Sequence, residues 1–206
     1  MSETPLRSIR LTLASLLMVA LMAQLAIGMS RADLGVANFF SFFTILSNVS
    51  AVVMLTMLAF RPGRIDEQGF SVFRGAVTVY MSVTGLVYAT LLGPTGIDVG
   101  LTEPWVNWTL HIVGPLALAI DWIVHRPGVE LPANAWLIWL GFPAAYLVYT
   151  LVRGAIVDWY PYPFLDPGET DGYGGVALWS GVVLVVIMTF GFGYQWWANR
   201  PRETET

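Results

Sequence analysis

A hydroxyl and an imidazole are the side chains of this sequence best suited to chemistry. Thr44 stands in the string Phe39-Phe-Ser-Phe-Phe-Thr-Ile-Leu-Ser-Asn48, and His111 in Trp105-Val-Asn-Trp-Thr-Leu-His111-Ile-Val-Gly-Pro115. A threonine hydroxyl is inert at its own pKa and attacks only when a base takes its proton. Histidine does that near neutral pH, and neighbouring amides or hydroxyls can then stabilise an oxyanion. Both residues lie inside long apolar stretches, where a polar group is expensive and therefore informative. The same groups have plainer uses. Threonine and asparagine in a membrane helix often glue helices together or bond back to the preceding turn.

The elements that must position these groups follow from composition. Of 206 residues 56% are hydrophobic and 12% charged, about half the charged share of a soluble domain. Mean hydropathy is +0.64. A transmembrane helix needs about 20 apolar residues, and six apolar spans can be counted. They run from about Ile9 to Met29, Ala37 to Phe60, Val72 to Leu92, Trp105 to Val124, Ala135 to Val152 and Val176 to Trp197. Arg31-Ala-Asp33, Arg61-Pro-Gly-Arg64, Gly93-Pro-Thr-Gly96, Arg126-Pro-Gly128 and the segment from Asp158 to Gly175 separate them, as breakers and charges should. The expected fold is all-α, one integral membrane domain over 1–206 with six transmembrane helices. Eight arginines fall on the segments that share a side with the termini (Arg7, Arg10, Arg61, Arg64, Arg74, Arg126, Arg200, Arg202) and two, Arg31 and Arg153, on the other. That bias puts both termini in the cytoplasm.

At 1.5 Å per residue, Thr44 and His111 fall at the same level, about 10 Å below the outer surface. Asn48 lies one turn below Thr44, and Asn107 one turn above His111, each on the same helix face. Thr84 and Tyr88 of the third span, and Tyr146, Tyr149, Thr150 and Arg153 of the fifth, approach that level. Asn48, Asn107, Tyr88, Tyr149 and Arg153 are therefore candidates to bind substrate or steady an oxyanion. On this reading the outer half of the bundle is polar inside and the inner half almost purely apolar. Asp121 and His125, at i and i+4 near the cytoplasmic surface, read as a satisfied interfacial pair. The outer segment Trp159-Tyr-Pro-Tyr-Pro-Phe-Leu-Asp-Pro-Gly168 cannot be helical, because Pro161, Pro163 and Pro167 interrupt it. It reads as an aromatic lid over the outer mouth, or else as an interfacial loop.

Several classes are excluded. A net charge of −4 with no basic face rules out nucleic acid as a partner. There is no cysteine and no lysine, so thiol catalysis, cysteine-type metal sites and Schiff bases fall away. A b-type haem would want two histidines at matched depth, and only His111 is deep. No metal and no cofactor is expected. A small transporter would want a polar path through both halves and an inverted repeat; a non-catalytic, lipid-binding scaffold is the remaining alternative.

The Thr44–Asn48 and Trp105–Pro115 strings, with Arg153-Gly154 and Tyr160-Pro-Tyr-Pro-Phe-Leu-Asp166, resemble bacterial members of the androgen-induced membrane protein family over nearly the whole chain. Animal relatives are integral membrane hydrolases that cleave fatty acid esters of hydroxy fatty acids with a threonine nucleophile and a histidine. Their threonine precedes an asparagine in the second span, which matches Thr44. Their histidine precedes a proline in the fourth, which matches His111. The resemblance implies a multi-pass hydrolase of the bacterial plasma membrane with a fatty acyl ester as substrate. Arg153 could then hold a substrate carboxylate.

Overall fold

In lipid the backbone of an apolar segment satisfies its own polar groups only as a helix or a closed barrel. The computed structural model, which describes residues 3–31, 34–92 and 103–201, takes the helical route. Six helices are long and apolar enough to cross a membrane: α1 (Glu3–Arg31), α2 (Phe43–Phe60), α3 (Gln68–Leu92), α4 (Pro104–Val124), α5 (Ala135–Val157) and α6 (Gly172–Ala198). The protein is an all-α, multi-pass membrane bundle. An even number of spans leaves both termini at one end, here called the terminal end; the other is the distal end. The breaker Gly93–Gly96 and the acidic Asp98 lie outside the described residues.

Helix α3 is the hub and packs against α2, α4 and α6, while α1 lies along α2. Within their apolar windows 56% of α3 is buried but only 17% of α6, so α6 turns most of its surface to lipid. Two glycines make the close approaches. A Cβ on Gly75 would meet the Trp139 ring at 2.2 Å, and one on Gly85 would meet Pro115 Cβ at 2.9 Å and the His111 carbonyl oxygen at 3.2 Å. The body of α5, by contrast, packs closely on no other helix. A cluster of rings fills the space between it and its neighbours: Phe43 against Phe142 and Tyr146 with centroids at 5.5 and 5.1 Å, and Tyr80 against Phe142 at 5.2 Å. These bulky groups hold α5 off the bundle and leave a void beside it.

Two spans are built differently from the sequence expectation. The second span does not run unbroken from Ala37. A single turn, Val36–Phe39, is followed by a break, and α2 begins only at Phe43. Side chains satisfy the break: Ser41 Oγ donates to the Ala37 carbonyl at 2.8 Å, and Tyr146 Oη donates to the Ser41 carbonyl at 2.8 Å. Thr44 is consequently in the first turn of its helix rather than well inside it. Helix α5 is interrupted at Trp139–Leu140 and continues to Val157, so Arg153 lies within it. It ends at Asp158 in the left-handed conformation, φ 52°, which aspartate tolerates better than most residues.

The larger correction concerns the terminal half, which is not almost purely apolar. Arg10 is 4% exposed and Arg74 is fully buried. Arg10 Nε and Nη2 donate to Asp121 Oδ1 at 3.1 and 2.9 Å, and Arg74 Nη2 donates to Asp121 Oδ2 and to its carbonyl at 2.9 and 2.8 Å. Arg74 also lies 4.9 Å over the Trp122 ring. The Asp121–His125 pair is present, with Nδ1 3.1 Å from Oδ1, but the carboxylate's main partners are two arginines from α1 and α3. By sequence both arginines belong with the cytoplasmic segments, because each lies at the end of its apolar span. Without them the arginine bias is still six against two.

Candidate functional site

Thr44 reaches its position because the Phe40–Phe42 break starts a new helix just before it. The first N–H groups of that helix have no partner within it, and the N-cap residue is Phe42, which carries no capping group. The partner comes from 118 residues away. Thr44 N–H donates to Tyr162 Oη at 3.2 Å, and Thr44 Oγ1 lies 3.3 Å from the same oxygen. Burial pushes the Tyr162 phenol above its ordinary pKa, and the hydrogen bonds to Thr44 only partly oppose it. It is a neutral hydroxyl at any physiological pH.

Tyr162 belongs to the proline-interrupted segment, which folds back over the distal end. Its only helical piece is the 3-10 turn Pro163–Leu165. Tyr162 stacks on Phe164 with centroids 5.2 Å apart and meets Phe42 edge-on at 5.7 Å. Trp159 also packs edge-on against Phe42, at 5.6 Å. Gly154 lets the segment close: a Cβ there would stand 2.1 Å from the Tyr160 ring. Under this cover lies a cavity of about 500 Å³, walled by α2, α3, α5, α6 and the covering segment. Its lining is overwhelmingly apolar, including Val83, Val87, Leu147, Leu184 and Ile187, with Thr44, Thr84 and Ser180 interspersed. The hydroxyls of Thr84 and Ser180 are buried without a hydrogen-bond partner. The void is large enough for a medium-length acyl chain, and these three residues sit on three different helices.

His111 occupies a second, adjoining cluster. Residues Thr109–Val113 form a π-helical turn just before Pro115, and the end of α3, Tyr88–Leu92, forms another. Such turns are uncommon and recur at functional sites. The close contact at Gly85 brings Tyr88, one turn on, face to face with the imidazole: centroids 4.4 Å apart, planes 23° from parallel. His111 Nδ1 is 3.1 Å from the Asn107 carbonyl, and Asn107 Nδ2 donates to Tyr88 Oη at 2.5 Å. Asn48 links the clusters. Its Nδ2 donates to the Thr44 carbonyl at 2.9 Å and to the carbonyl of Leu110, the residue before His111, at 3.2 Å.

The expected site residues thus separate into three groups. Thr44 meets Tyr162 at the cavity wall, with Asn48 bonded to the Thr44 carbonyl behind it. His111, Asn107 and Tyr88 form a self-contained stack; no hydrogen bond joins His111 to Thr44, and His111 does not line the cavity. Tyr149 and Arg153 lie further out. Tyr149 Oη is 2.8 Å from Ser41 Oγ, while Arg153 Nη2 donates to Asn38 Oδ1 at 2.5 Å and its guanidinium lies 5.3 Å over Trp159. Tyr162 was not among the expected site residues. The signal available was its place in an aromatic, proline-bound segment, which marks a lid but not which ring turns inward. Among the described residues no three histidine or acidic side chains gather as metal ligands would. Compared with known proteins, the chain matches no family, no curated protein and no solved structure.

Proposed function

We propose that this protein is an intramembrane hydrolase of lipid esters, of the class formed between a fatty acid and a hydroxy fatty acid. The observation that carries the reading is the Thr44 hydroxyl at the wall of an apolar cavity of about 500 Å³, beneath a hydrogen-bonded lid. The resemblance of the Thr44 and His111 strings to membrane threonine hydrolases supports the same chemistry. In this reading an ester enters from the bilayer beside the loosely packed α5. Thr44 Oγ1 bonds to the acyl carbon, and its proton passes to His111 through an intervening water, since no direct bond joins the two residues. The tetrahedral adduct expels the alkoxide, which takes up that proton. Water then hydrolyses the acyl-threonine and releases the fatty acid. The terminal end, richer in arginine, faces the cytoplasm of a bacterial plasma membrane.

The test is hydrolysis of a fatty acid ester of a hydroxy fatty acid by purified protein in lipid nanodiscs. Thr44→Ala should lower turnover by at least about 10³-fold with little change in melting temperature. His111→Ala should fall short by about 10² to 10⁴-fold, and the double variant should be barely worse than Thr44→Ala alone. An acyl group should be found on the peptide carrying Thr44. Full turnover in folded Thr44→Ala protein would sink the reading. The separation of His111 from Thr44 favours one alternative, a lipid-binding protein without catalysis, which would bind the ester and leave it intact.

A further inference from the structure

We propose that the Tyr162 hydroxyl is the oxyanion donor of the hydrolase, acting together with the backbone N–H of Thr44. This rests on the reading of Thr44 as nucleophile and adds to it the residue that stabilises the charge developing on the acyl oxygen.

Three observations carry it. First, the phenol oxygen stands 3.2 Å from Thr44 N and 3.3 Å from Thr44 Oγ1. When Oγ1 bonds to an acyl carbon, the former carbonyl oxygen takes the tetrahedral corner nearest the nucleophile's own N–H, and useful donors lie about 2.7–3.1 Å from it. Tyr162 Oη occupies almost that corner at rest and so marks it. An entering acyl oxygen takes over the bond from Thr44 N–H, and the phenol, moved back by about one hydrogen-bond length, donates its proton to the same oxygen. Second, this N–H lies in the first turn of an 18-residue helix whose N-cap is a phenylalanine, so it has no partner within the helix and only Tyr162 Oη outside it; negative charge is favoured there. Third, other donors near Thr44 are committed. Asn48 Nδ2 is held by the carbonyls of Thr44 and Leu110, and Tyr146 Oη by that of Ser41.

The step balances without further reagents. As the Oγ1–carbon bond forms, the carbonyl π pair moves to oxygen. The phenol stabilises that oxygen by hydrogen bonding and keeps its proton, because burial disfavours the phenolate. When the adduct collapses the pair returns, the alkoxide leaves, and the phenol is unchanged. The stack on Phe164 and the edge contact with Phe42 hold the ring at the depth this requires.

Tyr162→Phe tests this in the full-length protein in phosphatidylcholine nanodiscs, because it keeps both ring contacts and removes only the hydroxyl. The probes are p-nitrophenyl dodecanoate as substrate, a dodecyl trifluoromethyl ketone, which captures a nucleophile as a tetrahedral oxyanion, and dodecanoate as product. The expected result is a fall in kcat of roughly 10²-fold and a similar weakening of the ketone, with KM and dodecanoate binding almost unchanged. A purely structural tyrosine would instead move KM and dodecanoate binding. A kcat equal to or above wild type overturns the proposal, and an increase would identify the phenol as a plug. Should the phenylalanine variant not fold, 3,5-difluorotyrosine at position 162 retains ring and hydroxyl but ionises more readily; kcat should then fall at lower pH than in the wild type, and an unmoved alkaline limb overturns the proposal. Thr44→Ala measured alongside separates the two ideas. If it hydrolyses normally, the hydrolase reading and this inference fall together; if it is inactive while Tyr162→Phe is unimpaired, the inference alone falls.

Discussion

The two ends of the bundle bury polar groups in different ways. At the terminal end Arg10, Arg74 and Asp121 come from three helices and bind one another, with Trp122 covering Arg74. At the distal end Thr44, Thr84 and Ser180 are among the residues around a void, and the hydroxyls of Thr84 and Ser180 are buried in its walls without a partner. Burying a polar group costs free energy unless it is paired. The first arrangement recovers much of that cost by joining α1, α3 and α4, although Arg74 Nε and Nη1 make no hydrogen bond. The second leaves two hydroxyls in the helix walls unpaired. Packing follows the same division: α3 is closely held by its neighbours, whereas aromatic rings keep α5 at a distance. Polarity alone therefore does not distinguish the two ends; the empty volume beside the loosely packed α5 does.

The contrast is open to breaking, most strongly at the arginine cluster. Asp121→Ala leaves two buried arginines without their carboxylate and should destabilise the protein by about 3–5 kcal/mol, read as a lower melting temperature in detergent. Turnover per folded molecule should be nearly unchanged. A stable Asp121→Ala protein that has lost its activity would show that the two ends are coupled and the division is wrong. A smaller effect is expected at the lid. Gly154→Ala places a methyl where the Tyr160 ring now lies; the overpacking should cost about 1–3 kcal/mol locally and loosen the lid. The expected readout is a several-fold change in KM for a long-chain ester, with the terminal cluster undisturbed. The smallest effect belongs to Arg153, half-buried between Asn38 and Trp159. Arg153→Ala should cost about 1 kcal/mol or less and weaken binding of acidic lipids more than that of neutral ones. Equal losses for both would remove its role as a carboxylate anchor.

The six spans were legible in the chain because they are local properties. Hydropathy over about 20 residues makes a span, and proline, glycine and arginine interrupt it within a few positions. The break at Phe40–Phe42 was hidden because no proline or glycine marks it; a serine hydroxyl and a distant tyrosine satisfy the backbone instead. What tertiary structure alone decided is which groups meet. Depth placed Thr44 level with His111, but the neighbour that bonds to Thr44 is Tyr162, 118 residues away, while His111 stacks on Tyr88. In the same way Asp121 found Arg10, 111 residues distant, more directly than its i+4 histidine. The reason is geometric. Sequence sets a residue's height along its helix, but each residue also turns about 100° around the axis, and the direction it finally faces depends on how closely every neighbouring helix packs. In this bundle Gly85 draws α3 against α4, and Phe43, Phe142 and Tyr146 hold α5 away.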